Sequence, residues 1–363
     1  MKIKEITDHL EKLAPLHYAQ NFDNVGLLVG DSNTAVTGVL ITLDCLENVV
    51  DEAIETGCNL IVTFHPIIFS GLKHLRGSDY VRKTIIKAIK NDIAIYATHT
   101  ALDMAIGGVS HRMAQELGLK NVKTLIPEKN IIKKIAVHVL EGNMKTMQEA
   151  MFKAGGGHLA NYEECSFTLE GTGSFKGNNL SNPHTGKPGE RSVLKEQVLE
   201  MTYLPHLEKA ILRAMRAHHP YEEIAFEIST LENEYQEIGM GAIGDLEKPI
   251  TVEEFLQFVK LTFKSGVVKS SLSRKRTIQK VAVLGGSGAF AIHNAKSSGA
   301  DAYITADLKY HDFFQGEDLL LCDVGHYESE QFTKNLLHEY LIEKFSNFAI
   351  LCAQTQTNPV NYI

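Results

Sequence analysis

The stretch DVGHYESEQF, residues 323–332, sets His326 and Glu330 four positions apart directly after an apolar run. On a helix, positions i and i+4 lie one turn apart on one face, so an imidazole and a carboxylate would reach toward the same point. Such a pair can grip a metal, or it can cap and solubilise a helix. Other groups of the same kind stand at matching places: His65 follows NLIVTF, and His99 and Asp103 follow IAIYAT. In open parallel sheets, ligands collect at the carboxyl ends of the strands. His65, Asp103, His326 and Glu330 are therefore expected to converge on one sheet edge, however far apart they lie in the chain. Two imidazoles with two carboxylates suit a divalent transition metal (Zn, Fe or Mn) better than Ca or Mg.

A different chemistry starts from GGSGAFA. Gly286-x-Gly288-x-x-Ala291, after a strand and into a helix, matches the dinucleotide fingerprint, with Asp307 near the place of a ribose-binding carboxylate. That would make a nicotinamide- or flavin-dependent oxidoreductase. The plainer reading is a tight turn that lets a helix pack closely, or one that receives a phosphate at the helix N-terminus. His218-His219-Pro220-Tyr221 reads as a helix-to-strand corner, because a strand would send Glu222 and Glu223 to opposite faces. His158 and His293 have no evident partners.

The elements that must position these groups alternate. GVLITLD (38–44), NLIVT (59–63) and 93–97 read as buried strands, with helical patterns over 47–56 and 81–90. Apolar strands alternating with helices imply a mostly parallel sheet covered on both faces. From about Lys133 the order becomes β-α-β-β-α-β, the ferredoxin-like split motif: strands at KKIAVHVL, 163–169, 192–204 and 222–231, and helices at 144–154 and 205–217. The Gly/Asn/Pro/Ser-rich stretch 171–190 reads as a long loop. After Ile250 the α/β texture returns, with strands at 280–284, 301–305, 319–324 and 348–353 and helices at 289–298 and 328–345. The fold class is thus α/β: a discontinuous layered α/β domain (1–127 and 249–363) with an inserted α+β ferredoxin-like domain (128–248).

The chain's 363 residues are enough for two or three domains, and 44% hydrophobic with 22% charged residues is ordinary for a globular protein. A net charge of −8 argues against general nucleic-acid binding, which calls for a basic surface, and leaves room for a small-molecule substrate. Five cysteines form no CxxC pair, which fits free thiols in a reducing cytosol. MKIKEITDHLEKL reads as an amphipathic helix without the apolar core of a signal peptide. No run approaches the roughly 18 apolar residues of a membrane span. A cytoplasmic protein without a membrane partner is expected.

FDNVGLLVGD, FHPIIFSGLK, THTALDMAIGGV, AVLGGSGAF, DAYITADLKYHD, DVGHYESE and TNPVNYI, in that order, resemble the Nif-three-like dinuclear metal-centre family, also labelled GTP cyclohydrolase I type 2 homologs. NYEECSF, GTGSFKG and HPYEE resemble its longer bacterial members, whose additional domain is of the PII/CutA type. The resemblance implies two divalent metal ions, a homo-hexamer, and a hydrolase-like role with metal-activated water acting on a small, nucleotide-like substrate. A non-catalytic metal-dependent regulator or scaffold is the alternative. The resemblance gives His65 and Asp103 to one metal, His326 to the other and Glu330 to both. His99, Asp307 and His311 are the candidates for proton transfer. Thr305, Asp307 and His311 match the family's TGD…H stretch, with Ala306 where glycine is usual. The main departure is Phe64, which stands where the family has a second adjacent histidine. Phenylalanine cannot coordinate, so one tight site and one weakened site are expected.

Overall fold

A computed structural model describes residues 1–77, 79–158 and 161–363. Its contacts divide the chain into two units, Met1–Pro127 with Gln236–Ile363, and Glu128–Tyr235.

The first unit holds two sheets rather than the single sheet expected from the strand pattern. One is built from β1 (Gly26–Val29), β2 (Val39–Thr42), β3 (Leu60–Thr63), β4 (Ala94–Ala97) and β15 (Ile350–Cys352), in the order β1-β4-β3-β2-β15. All neighbours are parallel except β1, an antiparallel edge. The segments VLIT, LIVT and AIYA are buried at every position because helices cover both faces. Val39, Ile41, Leu60 and Val62 pack with Ile3, Leu10, Leu337 and Leu341 of helices Ile3–Leu13 and Thr333–Lys344. Leu40, Ile61 and Ile95 point the other way, onto Val49, Val50 and Ile85 of helices Glu47–Glu55 and Tyr80–Lys90. Each such side chain, fully buried, stabilises by about 1.5–3 kcal/mol.

The other sheet is built from β5 (Lys120–Lys129), β10 (Glu234–Thr251), β11 (Lys269–Ser270), β12 (Thr277–Ser287), β13 (Ala302–Ala306) and β14 (Leu320–Asp323), in the order β11-β14-β13-β12-β10-β5. β12, β13 and β14 are mutually parallel. One face packs Val281, Val283 and Ile304 with Phe255 and Val259; the other packs Ala282 and Tyr303 with Ile292 and Ala295.

The second unit orders β6 (Ile132–Leu140), β7 (Phe167–Lys176), β8 (Arg191–Tyr203) and β9 (Phe226–Leu231) as β7-β8-β6-β9, all antiparallel. Helices Met144–Lys153 and Glu208–His218 complete a ferredoxin-like β-α-β-β-α-β. Ile135, Val137 and Val139 alternate onto a core with Met147, Met151, Ile211 and Met215.

Three sequence boundaries shift. The unit ends at Tyr235 and not at 248, because Ala242–Asp245 of β10 pair with β12 of the other unit's sheet. The stretch read as a loop from 171 begins as strand: Thr172–Lys176 pair with Arg191–Lys195. The single helix expected over 328–345 is two, His326–Glu330 and Thr333–Lys344.

Candidate metal centre

The carboxyl ends of both parallel strand sets supply the polar groups, so the residues converge from two sheets and not from one edge. On the first sheet, Asp44 lies just past β2, His65 past β3 and His99 past β4. On the second, Asp307 follows β13 and His326 follows β14. Local hydrogen bonds fix these exits. Thr63 Oγ1 donates to the carbonyls of Leu43 and His65, and the His65 N–H donates to Leu43 O at 2.9 Å. Gly325 opens the short helix at φ +97°, where a Cβ would sit 2.2 Å from Glu328 Oε2. Ser329 Oγ accepts from the Gly286 N–H at 2.9 Å and donates to His326 O at 2.7 Å, tying that helix to the end of β12.

The i, i+4 pair of the opening stretch does share a face. His326 Nε2 and His65 Nε2 each lie 3.2 Å from the same atom, Glu330 Oε2. On their far sides, His65 Nδ1 lies 2.8 Å from Asp44 Oδ1 and His326 Nδ1 lies 2.7 Å from Asp307 Oδ2. A carboxylate on Nδ1 holds the proton there in a neutral imidazole and turns the Nε2 lone pair inward. Two nitrogen lone pairs and a carboxylate oxygen then converge, an arrangement that needs a cation.

The shared oxygen is buried without a hydrogen-bond partner. Protons answer this need when no metal does. Burial would lower the His65 pKa, but Asp44 and Glu330 raise it to about 10. Glu330, against burial's lowering pull, raises His326 to about 9. Burial alone would raise Glu330, yet the two imidazoles hold it down to about 2. Glu330, His65 and His326 form the one group of three metal-type side chains found among the described residues. The 3.2 Å from each imidazole nitrogen to the shared oxygen is near the edge of a tetrahedron of ligands at about 2.0–2.2 Å. The residues fit a divalent transition metal.

The remaining candidates separate. Asp103 is not in the group of three, although its carboxyl feels Glu330 and His65; burial first, then Glu330, push its pKa well up. The resemblance assigned His65 and His326 to different ions, whereas here both face one oxygen. His99 adopts φ +26° and gives Nδ1 to Asp23 at 2.8 Å, its ring 5.5 Å from that of His65. Phe64 is fully buried, its ring 4.9 Å from His65 and 5.6 Å from His99. His311 is exposed in the 3₁₀ turn Tyr310–Gly316, against Tyr310 and Phe314, and no contact ties it to the centre. Thr305 is fully buried, donating to Gly286 O at 3.1 Å.

Sequence reasoning missed Asp23 and Asp44. Asp44 stands after GVLITL as His65 stands after NLIVTF, so the strand-end argument would have found it.

The glycines at the end of β12 and just past it leave room for neighbouring side chains. A Cβ on Gly286 would lie 2.4 Å from Glu330 Oε1, and one on Gly288 would lie 2.1 Å from Thr305 Oγ1. The glycines thus let this chain's own side chains approach closely, which accords with the tight-turn reading of the stretch. A cavity of about 400 Å³ opens beside the centre, lined by Asp44, His65, Asp307 and His326, with Lys269 and Tyr362 at its wall. The terminal segment lies along it: Thr357 Oγ1 donates to Asp44 Oδ2 and Asn358 Nδ2 to Glu328 Oε1, at 2.8 and 2.9 Å. Among the described residues, no helix is long and apolar enough to cross a membrane.

Residues 1–359 match the family model described as Duf34/NIF3 (NGG1p interacting factor 3). A Bacillus subtilis protein named GTP cyclohydrolase 1 type 2 homolog is 38% identical, over 99% of this chain and 98% of its own length. A protein of the same name from Halalkalibacterium halodurans is 36% identical, over 97% and 96%. A crystal structure of a Bacillus cereus protein related to NIF3 superposes with a TM-score of 0.83 at 36% identity, covering 100% of this chain and 99% of that one.

Proposed function

Since the chain belongs to the Duf34/NIF3 family, we propose that it is a metal-dependent, hydrolase-like protein acting on a small, nucleotide-like substrate. The observation that supports this most is the convergence of His65 Nε2 and His326 Nε2 on the buried Glu330 Oε2. His65, His326 and Glu330 would hold a Zn, Fe or Mn ion. Three protein ligands leave an open position, the mark of a catalytic rather than a structural site. A divalent metal there supplies Lewis acidity and brings the pKa of water to about 7 in favourable sites.

The chain's own groups do the rest. Asp44 and Asp307 keep both imidazoles in the Nδ1–H form. The adjoining cavity takes the substrate. His99, its Nδ1 engaged by Asp23, keeps Nε2 for accepting a proton; a positioned base of this kind typically contributes 10²–10⁴-fold. Asp307 is committed to His326, which makes it an orienting group first.

A second ion would be held more weakly, because Phe64 stands where the family has a second adjacent histidine and phenylalanine cannot coordinate. That same ring favours the alternative of a metal-dependent regulator without catalysis. Both readings meet one experiment. Metal content after dialysis is expected near one ion per chain, rising toward two in Phe64→His. Each form is then screened with nucleotides and phosphoesters under defined metal. Two tightly held ions in the unchanged protein would refute the role given to Phe64. No turnover in either form would leave the regulator.

A further inference from the structure

Two motifs of the second unit, GTGSFKG (171–177) and HPYEE (219–223), have no part in the metal centre, yet they face one another across a cavity of about 620 Å³. Its wall includes Phe175, Lys176, His184, Glu196, Tyr221 and Glu222. The volume lies within the range of small-molecule sites, roughly 300–1,000 Å³.

The polar groups on this wall are held in place. His219 Nε2–H donates to the His138 carbonyl at 2.8 Å, which leaves Nδ1 to accept the Tyr221 N–H at 3.1 Å. The Tyr221 hydroxyl donates to Glu196 Oε1 at 2.7 Å. One chain of bonds thus fixes the tautomer of His219, the path of the corner and the carboxylate of Glu196. Gly173 makes room for that carboxylate, since a Cβ there would stand 2.0 Å from Glu196 Oε2. Glu222 Oε1 accepts the Asn182 N–H at 2.8 Å, so the 177–190 loop is pinned over the same space. The strand expected over 222–231 begins only at Phe226, and this frees Glu222 and Glu223 to line the cavity together.

The chemistry of the wall selects the ligand. Glu196, Glu222 and Glu223 outnumber Lys176, so an anion is repelled. The Phe175 and Tyr221 rings offer flat apolar contact, and carboxylates accept hydrogen bonds without donating any. We propose that this cavity binds a planar, uncharged nitrogen heterocycle of the nucleobase type, its ring or exocyclic N–H groups donating to Glu196 and Glu222 and its face on Phe175 and Tyr221. The site is independent of the metal centre.

Titrating the full-length protein with guanosine and adenosine, followed by calorimetry and ligand-observed NMR, tests this. At least one nucleoside is expected to bind at or below about 1 mM, and its 5′-monophosphate more weakly. Glu196→Gln should weaken the nucleoside about tenfold at an unchanged melting temperature, and His65→Ala should leave it untouched. Glu222→Gln, on the loop side, carries the same test if Glu196→Gln does not fold. No binding by either nucleoside would overturn the proposal. So would binding lost in His65→Ala and kept in both glutamine variants, because the ligand would then sit at the metal centre.

Discussion

The two sheet ends that meet at the metal centre use the same parts but are built differently. Each gives an imidazole to Glu330 Oε2, and each backs that imidazole with its own carboxylate, Asp44 or Asp307. The first side is dry: Phe64 is buried beneath it, and the Asp23 side chain, fully buried, locks His99. The second side is open, with the His326 side chain 42% exposed against 23% for His65. A charge pair is screened by water in proportion to its exposure. On the proposed reading, the closed side would contribute more to the hold on an ion, and the open side would be the one a substrate approaches.

The largest effect should come from the group both sides share. Glu330→Ala removes the oxygen that faces both histidines, and metal retained after dialysis should fall to near zero by elemental analysis. Near-normal retention would mean that Asp103 or His99 carries the ion instead. Next come the two orienting carboxylates. Asp44→Asn and Asp307→Asn should each weaken metal binding by about 10–100-fold, the usual cost of losing such a partner. Asp44→Asn should cost more because its side is less screened; equal losses in a competitive chelator titration would erase the contrast between the sides.

The smallest effect concerns acid stability on the dry side. Burial would raise the Asp23 pKa, but hydrogen bonds from His99 and Thr100 bring it down from 3.8 to about 2. A depressed carboxylate stabilises the fold above its unfolded pKa and loses that contribution as pH falls through the folded value. Asp23 therefore contributes about 2 kcal/mol above pH ~4, fading toward pH ~2. In urea unfolding, the gap between the unchanged protein and Asp23→Asn should narrow over that window. A gap that stays constant would contradict this account.

His65, His326 and Glu330 were legible in the sequence because strand-end position and i, i+4 spacing are both local signals. His311 came only from the resemblance, and the 3₁₀ turn after β13 carries its ring out beside Tyr310 and Phe314. Asp103 comes within electrostatic reach of Glu330 and His65 without joining their group, a distinction that strand-end position does not carry. The number of sheets could not be read. Segments such as LIVT and VLIT are buried on both faces, so they carry no alternation that tells which strands share a sheet. The GTGSFK end of β7 was lost for the opposite reason: its burial is slight, and Phe175 alone sets no apolar alternation that marks it as strand.

The pairing of β15 with β2 has a consequence for synthesis. Ile350–Cys352 sit beside Val39–Ile41, joining the last strand of the chain to one of the first. Contacts this far apart in sequence form slowly, and the first sheet lacks this edge until Cys352 has been made. The four strands of the ferredoxin-like unit, by contrast, are all present once Leu231 has been made. Domains generally fold as units as they emerge from the ribosome. The interior unit is thus complete in its strands while β2, already paired with β3, still waits for β15 at its edge and for Leu337 and Leu341 on one face.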